Sequence, residues 1–321
     1  MSTNKSTKDK ISSLISKFGI VVVLIILVIV CSIVSPVFMT PTNILNVLRQ
    51  VCVVALVAFA EAVLIISGSI DLSAGTLMCF SGIMAIPVYV STGSITIAIG
   101  AAIVCGIVLE GISGLLVSLF NLPPFVATLA MNMSARGAVK LYTGGMVITD
   151  TGENFSFMGQ GYLGIIPIPV IVMVVATIVL WIVLEKTRFG RNLYAVGGNA
   201  EAARASGINV KRFRLYSFIF AGIFIGLSGF MFASRVNSGV PTAGTGYEGQ
   251  GISAAIIGGV GFAGGTGSAG GVLVGAIIMG VISNILNLMR VDSYLQEVIN
   301  GIIVVAAVII DLQTKKKRLG Q

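Results

Sequence analysis

The chain is a succession of long apolar runs separated by short polar breaks. The runs fall at about residues 18–38, 51–67, 72–90, 94–120, 123–141, 165–184, 213–234, 247–263, 269–289 and 296–311. A helix that crosses a bilayer needs about 20 apolar residues, so the pattern predicts ten spans. Two places strain it. Gly68 to Asp71 either separates the second and third spans or kinks a single one. The eighth run is rich in glycine, and residues 239–271 hold thirteen glycines. Membrane helices tolerate such a stretch only where neighbours re-satisfy the backbone or a cavity is lined.

The longest polar interval runs from Glu185 to Arg214 and holds seven of the twenty Lys and Arg: Lys186, Arg188, Arg191, Arg204, Lys211, Arg212 and Arg214. Near its centre a short helix has readable ends. Asn199 can cap its start, Glu201 lies where the helix dipole favours an anion, Ala202, Ala203 and Ala205 are strong helix formers, and Gly207 supplies a left-handed end. Two turns are too few to be stable alone in water, so the pattern asks for a partner that holds the helix.

Composition confirms a membrane class: 56% of the 321 residues are hydrophobic and 10% charged, with mean hydropathy +1.03. Against about 25% charged residues in soluble domains, this is an all-α polytopic membrane protein, one transmembrane domain over residues 1–321. The net charge of +8 reads as topology and not as affinity for nucleic acid. Lys5, Lys8, Lys10 and Lys17, the central interval, and Lys315 to Arg318 hold most of the basic residues. Such residues collect in cytoplasmic loops, so a tail at 1–17, the loop 185–212 and a tail at 312–321 are expected inside, with 142–164 outside. Ser35-Pro36-Val37 makes no convincing cleavage site, so the first span is expected to be retained. Gly106 to Gly111 echoes Gly275 to Gly280 at an offset of five spans, which would make two inverted repeats.

Catalytic chemistry is hard to find. The chain has no histidine, and Cys31, Cys52, Cys79 and Cys105 lie in apolar segments without metal-ligand spacing. No metal site and no catalytic residue is expected. Gly259-Val-Gly-Phe-Ala-Gly264 fits G-x-G-x-x-G, but its flanks are membrane helices and no acid follows about 20 positions on; helix packing or a broken span explains it. A Walker A loop is absent, so any ATP is hydrolysed by another polypeptide.

Three acids lie inside or beside apolar runs: Glu61, Asp71 and Glu110. Each is costly in hydrocarbon and is a functional candidate. Asp71, with Ser73, sits among small residues where the helix can unwind, and its carboxylate could accept from a polyhydroxylated solute; the competing reading is a cap on the third span at a membrane surface. Glu61 and Glu110 read equally as packed polar residues bonded to Ser or Asn. Arg136 and Lys140 sit near the outer end of span five, where they are expected to snorkel.

Several segments resemble a known family. Glu201-Ala-Ala-Arg-Ala-Ser-Gly207 resembles the E-A-A-x-x-x-G core of ABC importer permeases, without the I-x-L-P element that often follows. Ser67-Gly-Ser-Ile-Asp-Leu-Ser-Ala-Gly75 is similar to the G-G-I-D-L-S-x-G signature of ribose-type sugar permeases, with Ser69 where glycine is more usual. Leu122 to Leu129, Arg136-Gly137, Thr143 to Gly145 and Phe189 to Ala200 resemble further elements in the same order. The resemblance implies a bacterial plasma-membrane permease subunit with both termini cytoplasmic. It implies a second, identical permease subunit, an ABC ATPase that binds ATP and Mg, and an outside solute-binding protein that delivers a monosaccharide. Asn199, Glu201, Ala202, Ala203, Arg204 and Gly207 would then couple to the ATPase, and Asp71, Ser73 and Glu110 are candidates for the translocation path. Two alternatives stay open: a proton- or sodium-driven carrier titrating Glu110 or Asp71, and an ABC permease for a nucleoside or signalling furanose.

Overall fold

The structure is a computed structural model that describes residues 3–318, with side chains for 19–313. The charged ends of the expected tails 1–17 and 312–321 therefore lie outside the described side chains. Helix α1 (Thr3–Val34) and α13 (Ser293–Arg318) frame the chain. Between them lie α2 (Pro41–Ile66), α3 (Ala74–Thr92), α4 (Ile95–Leu119), α5 (Pro124–Thr143), α6 (Phe157–Gln160), α7 (Ile168–Trp181), α8 (Arg188–Gly198), α9 (Ala200–Ala205), α10 (Val210–Val236), α11 (Tyr247–Ile257) and α12 (Ala269–Leu288). A π turn (Ile182–Lys186) prolongs α7, and β1 (Tyr162–Leu163) pairs antiparallel with β2 (Ile166–Pro167).

Each apolar run forms a helix, but not each forms a full crossing. Among the described residues, seven helices are long and apolar enough to span a membrane. The eighth run is the clear departure: α11 has eleven residues, about 16 Å of helix against about 30 Å of hydrocarbon. Its glycines cause this. Gly246 precedes it with φ 86°, and Gly259 follows it with φ 86°, where the amides of Gly259 and Val260 turn back to Ile256 O and Ala255 O. Gly68 to Asp71 is likewise a true break between α2 and α3. The polar stretch before the first span is helical from Thr3 onward, continuous with α1.

Helix α2 forms the centre of the interior. In α2, 89% of the apolar window is buried, against 6% in α13. Helix α10 packs on α4, α3 and α2, and glycines let the backbones touch: a methyl group at Gly226 would overlap the Ala102 carbonyl, and one at Gly106 the Gly222 carbonyl. Some of the packing is related by the expected offset of five spans, and some is not: α1 packs on α12, but among the described residues α7 has no matching contact of that size with α4. Helix α4 packs on α3 and α10 as α12 packs on α11 and α2, and α5 on α3 as α13 on α11. Of the glycine pairs behind that expectation, Gly111 faces Ile219 of α10 and Gly280 faces Val51 of α2, which correspond. Gly106 and Gly275 do not, because Gly275 faces Ala254 of α11.

The segment 142–164 is more ordered than a loop. Phe155 is fully buried between Tyr89 and Phe230, at ring separations of 5.3 and 5.5 Å. Ser234 Oγ donates to Phe155 O and accepts from Gly159 N, while Arg49 donates to Gln160 O and lies over the Tyr162 ring. The segment thus closes over the ends of α2, α3 and α10.

Candidate functional site

The end of α2 sets up the first break. Gly68 has φ 80°; its amide donates to Ile65 O and that of Ser69 to Leu64 O, both at 2.9 Å. This pair of bonds is the usual left-handed helix stop. The chain then leaves the helix and bends at Leu72 and Ser73 before α3 begins at Ala74. Asp71 lies in that stretch with no exposed surface, and its Oδ1 accepts from the amide (2.7 Å) and the hydroxyl of Ser73. Its Oδ2 takes no such donor among the described residues, and the carboxyl of Glu110 lies beside it. Asp71 thus holds Ser73 at the start of α3, and it does so from a wholly buried position. Glu110 of α4 and Glu61 of α2 are also wholly buried and close enough to Asp71 to interact electrostatically. Neither is held by a Ser or Asn side chain among the described residues; instead the Asp71 backbone approaches Glu61 and the Asp71 carboxyl approaches that of Glu110. The structure brings the three predicted path residues Asp71, Ser73 and Glu110 together and adds Glu61 to them.

A second break, residues 238–246, faces the first. A methyl group at Gly75 would overlap both the Gly244 carbonyl and the carboxylate of Glu248, and one at Gly244 would overlap the Gly75 carbonyl. The starts of α3 and α11 thus meet glycine on glycine. Helix α5 braces the junction: Thr128 Oγ1 accepts from Leu72 N at 3.1 Å, Asn132 Nδ2 donates to Leu72 O, and Thr76 Oγ1 donates to Asn132 Oδ1 at 2.8 Å. Beside it lies a cavity of about 50 Å³ lined by Thr76, Cys79, Arg136, Lys140, Thr242 and Thr245 among others. Arg136, half-buried, and Lys140, exposed, border this cavity. None of these lining residues belonged to the predicted site, and Glu248 was missed with them. The one available signal was the run of small and hydroxyl residues from Pro241 to Glu248, which periodicity cannot place.

The arrangement joins the turn between α2 and α3 to the start of α11, with buried acids beside one another and a cavity rich in hydroxyls and cations. Carboxylate oxygens are acceptors, and the hydroxyls of a polyol are donors that match them. Binding where two discontinuous helices meet is a recurrent transporter design.

The predicted coupling helix is α9. Asn199 Oδ1 accepts from the amides of Glu201 and Ala202, both at 3.0 Å. Gly207 has φ 85°, with its amide on Arg204 O and that of Ile208 on Ala203 O, both at 3.0 Å. Glu201, Ala202 and Arg204 are exposed. Ala203 is corrected: it is 4% exposed and packs with Val196 and Val210, so it anchors the helix and cannot reach a partner. That cluster also means that α9 is held by its own chain, where its length alone asked for another protein. Helix α8 was missed altogether. Gly190, Gly197 and Gly198 lower its propensity, yet Thr187 Oγ1 caps it at Gly190 N and Leu193 and Val196 bury one face.

Comparisons with known proteins bear on this site as a whole. The model of a family described as "Branched-chain amino acid transport system / permease component" matches residues 43–308. The ribose import permease protein RbsC of Bacillus subtilis (strain 168) is 42% identical over 297 residues, 92% of each chain. The protein of the same name from Escherichia coli (strain K12) is 35% identical, over 90% of this chain and 92% of its own. The L-arabinose ABC transporter permease protein AraH of Azospirillum brasilense is 34% identical, over 95% and 90%. No solved structure gives a significant match.

Proposed function

Since this chain belongs to the family described as "Branched-chain amino acid transport system / permease component", we propose that it passes a ribose-like monosaccharide between its two helix breaks. It is a permease subunit of an ABC sugar importer in the bacterial plasma membrane, not an enzyme, and a separate subunit hydrolyses the ATP. Ribose is favoured by one observation, the 42% identity to a ribose import permease over 92% of both chains. The solute passes the cavity at Thr76, Arg136 and Thr242, then the sealed acids Asp71 and Glu110, which open to accept its hydroxyls.

The exposed face of α9, with Glu201 and Arg204, docks in the ATPase, which holds ATP and Mg. A second, identical copy and membrane lipid cover the apolar outer helices, including α13. The termini and residues 185–212 face the cytoplasm, and the solute-binding protein docks outside near 142–164. Labelling of Asp150→Cys from the cytoplasmic side only, or of Arg212→Cys from outside only, would overturn this orientation.

The test of function is reconstitution in vesicles with the ATPase and binding protein. ATP-dependent uptake of labelled ribose, lost on omitting either partner, is the expected result. Uptake driven by an ion gradient without ATP would refute the importer reading; uptake of arabinose or galactose in preference to ribose would refute the solute.

A further inference from the structure

Three segments far apart in sequence meet at the inner end of α2. The stop at Gly68 satisfies the carbonyls of Leu64 and Ile65 but leaves that of Ile66 without an intrahelical donor. The glycine-rich turn between α11 and α12 supplies one: Gly265 N donates to Ile66 O at 3.0 Å. The C-terminal turn of α8 closes on the same atom. A methyl group at Gly197 would overlap Ile66 O and lie 2.9 Å from Gly265 N. Those on Gly264 and Gly265 would lie 2.7 Å from Gly197 O and 2.6 Å from Gly198 Cα. Gly264 and Gly265 have φ of 86° and 73°, a conformation that glycine adopts at least cost. Tyr194 Oη fastens the turn from α8 by donating to Gly267 O at 2.9 Å. Burial, with Glu185 adding to it, pushes the Tyr194 hydroxyl up from its ordinary value, so it keeps its proton and its bond.

The positions of these residues give the contact its meaning. Asn199 ends α8 through its amide, which donates to Ala195 O, and starts α9 through its side chain. One residue therefore fixes α9 to α8, two positions from Gly197. On the other side, Ile66 stands five positions before Asp71, across the left-handed Gly68. A shift of α9 moves Gly197 against Ile66 and the 264–267 turn together, with no side chain between them to absorb it.

We propose that Gly197, clamped between Ile66 O and Gly265, is the positioning residue that transmits movement of the ATPase-bound helix α9 to the Asp71 break. The inference rests on the reading that α9 docks in the ATPase. Close backbone contact suits the task, since packed glycine backbones have no rotamers to yield and act as a rigid link. The turn from 264 to 267 makes the link three-way: it ties the same movement to α11, whose start forms the other wall of the break.

Gly197→Ala, Tyr194→Phe and, as control, Gly198→Ala, whose methyl meets nothing within 4 Å, are purified with the ATPase and reconstituted with the binding protein. ATPase retention, ATP hydrolysis and sugar uptake are measured together, with Glu201→Lys in parallel. Gly197→Ala is expected to keep the ATPase bound and hydrolysing while uptake per ATP falls about tenfold, within the usual range of intersite coupling. Tyr194→Phe, which changes no packing volume, gives a smaller fall of the same kind, and Gly198→Ala none. Wild-type uptake per ATP in both Gly197→Ala and Tyr194→Phe overturns the proposal. If Glu201→Lys loses the ATPase while those two transport normally, docking at α9 stands and the link fails. If Glu201→Lys binds the ATPase normally, the reading that α9 docks there fails, and the proposal falls with it whatever Gly197→Ala does.

Discussion

Asn43 and Asn284, 241 positions apart, exchange two amide hydrogen bonds inside the bundle, Asn43 Nδ2 to Asn284 Oδ1 at 2.9 Å and Asn284 Nδ2 to Asn43 Oδ1 at 2.8 Å. The pair joins α2 to α12, and Asn43 also donates to Phe38 O at 2.9 Å. Interhelical bonds of this kind are worth about 0.6 kcal/mol in membranes, with a maximum near 1.7. Asn284→Leu is expected to cost about 1 kcal/mol, because it strands a buried amide on Asn43. Asn43→Leu combined with Asn284→Leu should cost less than the sum. Thermal unfolding in detergent measures this, and additive losses would show that the two amides do not interact energetically.

Gly226 brings α10 against the carbonyl of Ala102 on α4. Gly226→Val forces these backbones apart at a cost of about 1–3 kcal/mol for overpacking. The variant is expected to lose solubilised yield and melt earlier than wild type. Gly100→Ala, where the methyl meets nothing within 4 Å, is the matched control. Equal melting of the two would mean that close approach of α4 and α10 is not needed.

Asp71 is held by Ser73 through one oxygen, and its carboxyl lies beside that of Glu110. Asp71→Ala should leave the permease–ATPase complex assembled and lower uptake about tenfold or more, the scale of a lost charge-assisted hydrogen bond to solute. Ser73→Ala should give a smaller loss, since it frees the carboxylate without removing it. Uptake in Asp71→Ala at the wild-type rate would leave the residue a structural role only.

The ends of α9 can be tested separately from its docking face. Asn199→Ala removes both accepted amide bonds at a cost of about 1 kcal/mol. Gly207→Val puts a β-branched side chain at φ 85°, a conformation such residues strongly disfavour. Both variants should insert in the membrane, since the lesion lies outside the spans, and both should recover less ATPase in pull-downs. Normal recovery with both would mean that the shape of α9 does not govern docking.

The apolar pattern made the helices legible, and the paired ends of α9 could be read residue by residue from Asn199 and Gly207. The family was legible too, through Glu201 to Gly207 and Ser67 to Gly75, and family membership sets aside the secondary-carrier alternative. What could not be read was the junction of the two breaks. Gly75 meets Gly244, and Thr76 meets Asn132, through long-range contacts that leave no periodic trace. Helix α8 was hidden for a related reason: Gly197 and Gly198 look like helix breakers until the carbonyl of Ile66 is seen to require their missing side chains. Ala203 was misjudged because Ala favours helix on either face, and only the positions of Val196 and Val210 decide which.

The burial of α2 has a consequence for how the protein is made. This helix emerges early in synthesis, yet α10, α11 and α12, which enclose it, start only at Val210, Tyr247 and Ala269. Until they arrive, Asn43 lacks its partner Asn284, and Glu61, beside Asp71 and Glu110, lacks the helices that complete its burial. The half-synthesised chain must therefore wait in an arrangement that the finished protein never adopts. A chain cut short before α12 should be recognised as defective by membrane quality control, even with its first spans correctly inserted.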